Sequence, residues 1–287
     1  MVFFAKSAII EHIQDVFYFE EVIMKQYKKS KIHDTIQKYM EQKHRKSALI
    51  IAHRGGAVSH SKVENTLEAF ETAIDKKVKM VEFDVRRTMD NQLIVFHNNH
   101  IEKIKLNTLT YQQICNIAKK DGYTVPLLKD VLKMCSDKIM LDIELKEAGY
   151  EEQVLTMLKH YFTPDHFIIT SFLDSVIMEI KRINPCIRAG LLIGKSHASL
   201  LQRFSELFPF RRLRRTGADF IVPNYHLVTP WLLHSCKKAQ LNIYVWTVNG
   251  DTIYSKLIHK KVAGIITDYP ERYDGKYTTT TEEELVC

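Results

Sequence analysis

The chain has 287 residues, 45% hydrophobic and 26% charged, with 10 glycines and 7 prolines; these fractions describe a globular protein and exclude collagen-like, low-complexity and disordered classes. Lys+Arg 41 against Asp+Glu 34 leaves a formal net charge of +7, which favours anionic partners in general, but the positives are interspersed with negatives and leave no nucleic-acid footprint. The five cysteines never form a CxxC pair and no apolar run reaches about 18 residues, so free thiols, no transmembrane helix and a cytoplasmic location are expected.

Residues from about 8 to 42 carry Ile9, Ile13, Phe17, Val22, Ile23 and Tyr27 near helical spacing and read as a helix, joined by the basic run Lys43–Lys46 to the first strand-type run. From there strand-type runs alternate with helical patterns. The runs are Ala48–Ala52, Met80–Val85, Leu93–His97, Ile139–Leu145, Phe167–Phe172, Ile187–Ile193, Phe220–Pro223, Ile243–Val248 and Gly264–Asp268. Most are apolar, β-branched stretches with few breaks, the signature of strands covered on both faces by crossover helices. Helices are expected at Glu64–Lys76, Tyr150–His160, Ser175–Asn184, Thr229–Lys238 and Asp251–His259. The alternation predicts a parallel α/β fold.

Nine runs are one more than a closed barrel of eight strands needs. Between Val85 and Leu93 there is no room for a crossover helix, and Met89-Asp90-Asn91 is a turn signal. A reversal centred near Asp90 would bring His97 back beside Asp84.

Polar residues gather at the C-terminal ends of these runs, the rim where a β/α barrel builds its active site. Glu82 and Asp84 are two apart on one strand and share a face. With Glu144 from another strand they would form a hard oxygen site for Mg2+ or Ca2+. Arg54 and Lys146 would hold a phosphate beside it, and His53 and His97 can move protons in both directions near neutral pH. Metal, cations, acid and base together describe phosphodiester cleavage.

The string His53-Arg54-Gly55, then Glu64-Asn65-Thr66, Val81-Glu82-Phe83-Asp84-Val85, Thr88, Asp90 and Val95-Phe96-His97 resembles the glycerophosphodiester phosphodiesterase family. The likeness continues through Asp142-Ile143-Glu144-Leu145-Lys146, Ser171-Phe172, Trp246-Thr247-Val248-Asn249 and Thr267-Asp268-Tyr269-Pro270. It implies a TIM (β/α)8 barrel that hydrolyses glycerophosphodiesters to glycerol 3-phosphate and an alcohol with one divalent cation, Mg2+ or Ca2+. By the same resemblance Glu82, Asp84 and Glu144 hold the metal, His53 and His97 are catalytic, and Arg54 and Lys146 contact the phosphate. Trp246 is either barrel packing or a wall for the glycerol. Val63 stands where the family has Pro, and Asn98 where it has Asp. The segment His100–Val125 is short and matches the family poorly, so part of the head-group choice is expected there.

The expected organisation is an N-terminal helical extension over 1–47, the barrel over 48–275 and a disordered tail over 276–287. The expected partner is a small glycerophosphodiester, with no nucleic acid and no integral membrane segment; peripheral membrane contact and oligomeric state stay open. Two other readings stand beside the first. A lysophospholipase D would add an apolar trough, for which Phe208, Phe210 and Leu213 are candidates. A non-catalytic barrel binding phosphorylated ligands would not need both histidines. Arg211-Arg212-Leu213-Arg214-Arg215 reads as a solvated basic loop, Asn65 as a loop or cap residue, and the cysteines as small hydrophobes in helices.

Overall fold

The computed structural model describes residues 48–60, 63–194 and 200–273. The helix expected near the N-terminus, the Lys43–Lys46 joint, Cys287 and the tail over 276–287 lie outside these residues.

The strands are β1 (Leu49–Ala52), β2 (Met80–Arg87), β3 (Leu93–Val95), β4 (His100–Ile101), β5 (Ile104–Lys105) and β6 (Met140–Leu145). They continue as β7 (Phe167–Ser171), β8 (Ala189–Ile193), β9 (Phe220–Pro223), β10 (Asn242–Val245) and β11 (Gly264–Thr267). In space the order is β1-β11-β10-β9-β8-β7-β6-β2, and β1 pairs with β2 to close the ring. Eight parallel strands thus make the barrel, a TIM (β/α)8 fold.

The ninth run is the return strand. β3 pairs antiparallel with β2 in the register Val85↔Val95, Arg86↔Ile94 and Arg87↔Leu93, so the reversal does centre on Asp90.

The outer layer is α1 (Leu67–Asp75), α2 (Tyr111–Lys120), α3 (Leu128–Cys135), α4 (Glu151–Leu158), α5 (Asp174–Ile183), α6 (Leu200–Leu207), α7 (Phe210–Thr216), α8 (Pro230–Lys238), α9 (Asp251–His259) and α10 (Pro270–Tyr273). Five of these, α2, α3, α6, α7 and α10, carry no expectation from the sequence. For α2 a signal was there: Thr110 and Gln113 form a capping box, each side chain bonded to the other's backbone. The Arg211–Arg215 run is helix α7 rather than a loop, because Arg212 and Arg215 both bond the carboxylate of Asp174 at the start of α5. Cys115, Cys135 and Cys236 sit in helices, whereas Cys186 is exposed between α5 and β8.

Strand parity sorts the core into two shells. Val81, Phe83, Val85, Leu141, Ile143, Leu145, Ile169, Leu191, Ile221, Val245 and Ile265 face the helices. Leu49, Ile51, Met80, Ile168, Leu192, Phe220, Val222, Tyr244 and Ile266 fill the barrel. Gly190 belongs to the inner set because a Cβ there would lie 2.1 Å from the Phe220 ring. Continuing the inward parity upward along each strand reaches His53, Glu82, Asp84, Asp142, Glu144, Thr170, Trp246 and Asp268.

Candidate active site

The register of β2 and β6 sets the acidic centre. Glu82 lies beside Asp142 and Asp84 beside Glu144, so four carboxylates meet at the top of the barrel. Glu82, Asp84 and Glu144 each offer an oxygen within 4.8 Å of the other two. All are buried, Asp84 to 1% exposure. Like charges this close and this dry cannot all persist without cations.

The carboxyl groups respond accordingly. Burial pushes Glu82 well above the ordinary range, with Asp84, Asp142 and Glu144 adding repulsion. Burial lifts Asp142 to about 7 and Glu144 to about 6, the latter opposed by Lys146. Burial would raise Asp84 as well, but Lys146 and Arg54 outweigh it and hold that carboxyl below the usual range.

Lys146 comes from the turn after β6. Its Nζ lies 2.7 Å from both Asp84 and Glu144, so one ammonium bridges the two carboxylates. Arg54 sits in a left-handed turn, with φ 50° followed by Gly55 at 83° and Gly56 at 67°. The turn points the Arg54 backbone N–H at Glu82 Oε2, 3.0 Å away. Gly55 must stay bare, since a Cβ would meet Ala69 at 2.9 Å. The guanidinium donates to both oxygens of Glu64 at 2.9 and 2.8 Å and faces Asp84 at 3.5 Å.

His53 follows β1, and its Nδ1 lies 2.6 Å from Asp268 Oδ1. The other ring nitrogen points towards Glu82, 3.9 Å away. The second oxygen of Asp268 accepts from Asn249 Nδ2 at 2.6 Å, and Asn249 Oδ1 accepts from the Asp268 backbone at 3.0 Å. These bonds hold the Asp268 carboxyl below its ordinary value against the effect of burial.

His97 arrives by the β2–β3 hairpin. Phe96 N–H donates to Asp84 O at 2.9 Å, and Arg86 Nε donates to His97 O at 2.8 Å. The His97 ring is hydrogen-bonded to the neutral Asn98, 3.0 Å from Nδ1. Burial, followed by Lys146 and Arg54, pushes its pKa down to about 4 against the pull of Asp84.

One cavity of about 560 Å3 is lined by His53, Arg54, Glu82, His97, Glu144, Lys146 and Trp246. Asp84, the eighth expected residue, bonds Lys146 just beneath. Trp246 spends its N–H on Val222 O at 3.0 Å and stands edge-on to Phe172 at 5.5 Å between ring centres. It therefore offers the cavity an apolar wall and no hydrogen bond.

Some site residues are not singled out by the sequence. Asn65, expected as a loop or cap residue, is 2% exposed and donates to Asp84 Oδ2 at 2.8 Å, while the cap of α1 is Thr66. Asp142 and Asp268 lie on motifs already quoted and on inward parity, which was the available signal. Phe210 and Leu213, considered for an apolar trough, are each 3% exposed and pack into the outer core. They cannot line a groove.

The residues present fit a divalent metal. The donors are all carboxylate oxygens, the combination that suits Mg2+ or Ca2+, and Asp142 Oδ2 is buried with no hydrogen-bond partner. No helix among the described residues is long and apolar enough to cross a membrane.

Comparison with known proteins converges on one chemistry. The sequence profile described as the Glycerophosphoryl diester phosphodiesterase family matches residues 53–272. A glycerophosphodiester phosphodiesterase of Caldanaerobacter subterraneus subsp. tengcongensis is 29% identical over 241 residues, 78% of this chain and 95% of that protein. The Lysophospholipase D GDPD1 of Mus musculus is 24% identical over 77% of this chain and 83% of its own length. The crystal structure of a glycerophosphodiester phosphodiesterase from Parabacteroides distasonis superposes with a TM-score of 0.66 at 25% identity, covering 79% of this chain and 94% of the other.

Proposed function

The chain belongs to the glycerophosphoryl diester phosphodiesterase family, and from that premise we propose that it hydrolyses glycerophosphodiesters to glycerol 3-phosphate and an alcohol in the cavity above β2 and β6, with a divalent cation and two histidines. The observation that carries this reading is the meeting of Glu82, Asp84 and Glu144 within 4.8 Å beneath a cavity that both His53 and His97 line.

Glu82, Asp84 and Glu144 would hold Mg2+ or Ca2+, which supplies positive charge for the phosphoryl oxygens. Arg54 and Lys146 bind the same oxygens and orient the phosphate. Both stay charged, because the carboxylates around them outweigh the cost of their burial. Each histidine then takes one proton task. His97, held neutral above about pH 4, accepts the proton of the nucleophile: either water, which gives glycerol 3-phosphate directly, or the glycerol 2-hydroxyl, which gives a cyclic phosphodiester that water opens in a second step. His53 gives a proton to the departing alkoxide from the nitrogen facing the cavity. The Asp268 carboxylate at Nδ1 compensates the imidazolium charge and fixes the ring's orientation. Trp246 and Phe172 form the apolar wall against which a glycerol carbon skeleton rests.

A panel of glycerophosphodiesters, assayed for glycerol 3-phosphate release with EDTA and then with metal added back, tests the reading. Release abolished by EDTA and restored by Mg2+ or Ca2+ is expected. Each of His53→Ala and His97→Ala should lose at least about 100-fold in rate, the usual worth of acid–base help. No release from any diester refutes the assignment. The mouse relative's name raises a second reading, lysophospholipase D activity. Faster choline release from lysophosphatidylcholine than from glycerophosphocholine would establish it.

A further inference from the structure

A second cavity of about 500 Å3 adjoins the first and shares Arg86, Asn99 and Lys146 with it. The size suits a small polyol or its phosphate. Its walls come from the end of β2, the β4–β5 hairpin and the turn after β6, and they are basic. Arg86, Arg87, Lys105 and Lys146 line it against a single acid, Glu147.

Two of those cations are already neutralised. Lys146 bonds Asp84 and Glu144, and Arg86 bonds Glu147. Arg87 and Lys105 have no carboxylate partner among the described residues. Arg87 is nonetheless held in place, donating to Gly149 O at 2.9 Å with its guanidinium 5.6 Å from the centre of the Tyr150 ring. The backbone under Lys105 is fixed by the pairing His100↔Lys105 and by Leu106 N–H donating to Asn99 O at 3.0 Å. A positioned guanidinium and an exposed ammonium on a fixed strand, both lining one cavity and neither with a carboxylate partner among the described residues, suit an anion.

The place of the cavity says which part of a substrate it meets. The Phe172–Trp246 wall lines the catalytic cavity alone, while the basic annex opens from the Arg86–Asn99 edge. We propose that the annex receives the alcohol half of the diester and selects alcohols that carry an additional anionic group, a phosphomonoester above all, over neutral or cationic ones. This rests on the phosphodiesterase reading and names its substrate class.

A matched pair isolates the effect: glycerophosphoglycerol and the same diester with a phosphate on the second glycerol. At low salt the phosphorylated diester should show about tenfold higher kcat/KM, as two partly exposed ion pairs allow. The advantage should shrink as salt screens it. Arg87→Gln combined with Lys105→Gln should bring the ratio of the two substrates close to unity. A wild-type ratio at or below unity overturns the proposal, as does a ratio that the double variant leaves unchanged. Should the double variant fail to fold, a wild-type preference that persists undiminished in high salt overturns it instead. Equal hydrolysis of both diesters sinks the annex alone, whereas hydrolysis of neither sinks the phosphodiesterase reading and the annex with it.

Discussion

Replacing Asp268 by Asn keeps the shape of the side chain and removes the charge at His53. In the native protein the carboxylate is held at both ends, 2.6 Å from His53 Nδ1 and 2.6 Å from Asn249 Nδ2. The amide cannot accept from both neighbours, so one of the two bonds is lost along with the charge. A charge-assisted hydrogen bond contributes about 1.5–3 kcal/mol. With 20% of the Asp268 side chain exposed, the lower part of that range applies, about 1.5–2 kcal/mol. At 1.36 kcal/mol per decade this becomes a loss of about 10- to 30-fold in kcat/KM. The assay is kcat/KM at saturating metal, with Asp268→Glu as a control that keeps the charge. Asp268→Asn activity within about twofold of wild type would refute the supporting role given to Asp268 at His53.

Three more outcomes are expected from the same geometry. Lys146→Met leaves Asp84 and Glu144 buried without their cation, so the metal-free variant should unfold about 3–5 kcal/mol more easily in urea. Added Mg2+ or Ca2+ should restore more stability to it than to wild type. His97→Asn should change the pH dependence of stability. The folded protein keeps His97 neutral down to about pH 4, whereas the unfolded chain takes up the proton near pH 6.5. Wild type should therefore lose stability relative to the variant as pH falls from about 6.5 to 4, by about 1–2 kcal/mol once the ring's partial exposure to solvent is allowed for. Gly190→Ala drives a methyl group into the Phe220 ring, 2.1 Å away. Thermal melting should report a loss of about 1–3 kcal/mol or more, with the metal site's chemistry untouched in the protein that remains folded.

Much of this molecule is legible without coordinates. Side-chain direction alternates along a strand, so Glu82 with Asp84, or Asp142 with Glu144, had to share a face wherever the strand lay. The Met89-Asp90-Asn91 turn between two apolar runs too close for a helix required a hairpin, and the observed pairing Val85↔Val95 has its centre at Asp90. Helices are plain where apolar spacing is regular. They are hidden at α7, where four arginines crowd the short segment Phe210–Thr216 and the Asp174 pairings that hold Arg212 and Arg215 lie in a distant stretch.

Local pattern determined which side of each strand and helix is apolar, where the chain turns, and which residues carry charge, because these depend on neighbours a few positions apart. Only closure of the barrel decided the rest. It brought Asp84 beside Glu144 through a register between strands about sixty positions apart, set Asp268 against His53 across 215 positions of chain, and turned Phe210 and Leu213 inward. Burial then decided the chemistry, since the same carboxylates in water would be ordinary acids and here are displaced in opposite directions by desolvation and by the two cations beside them.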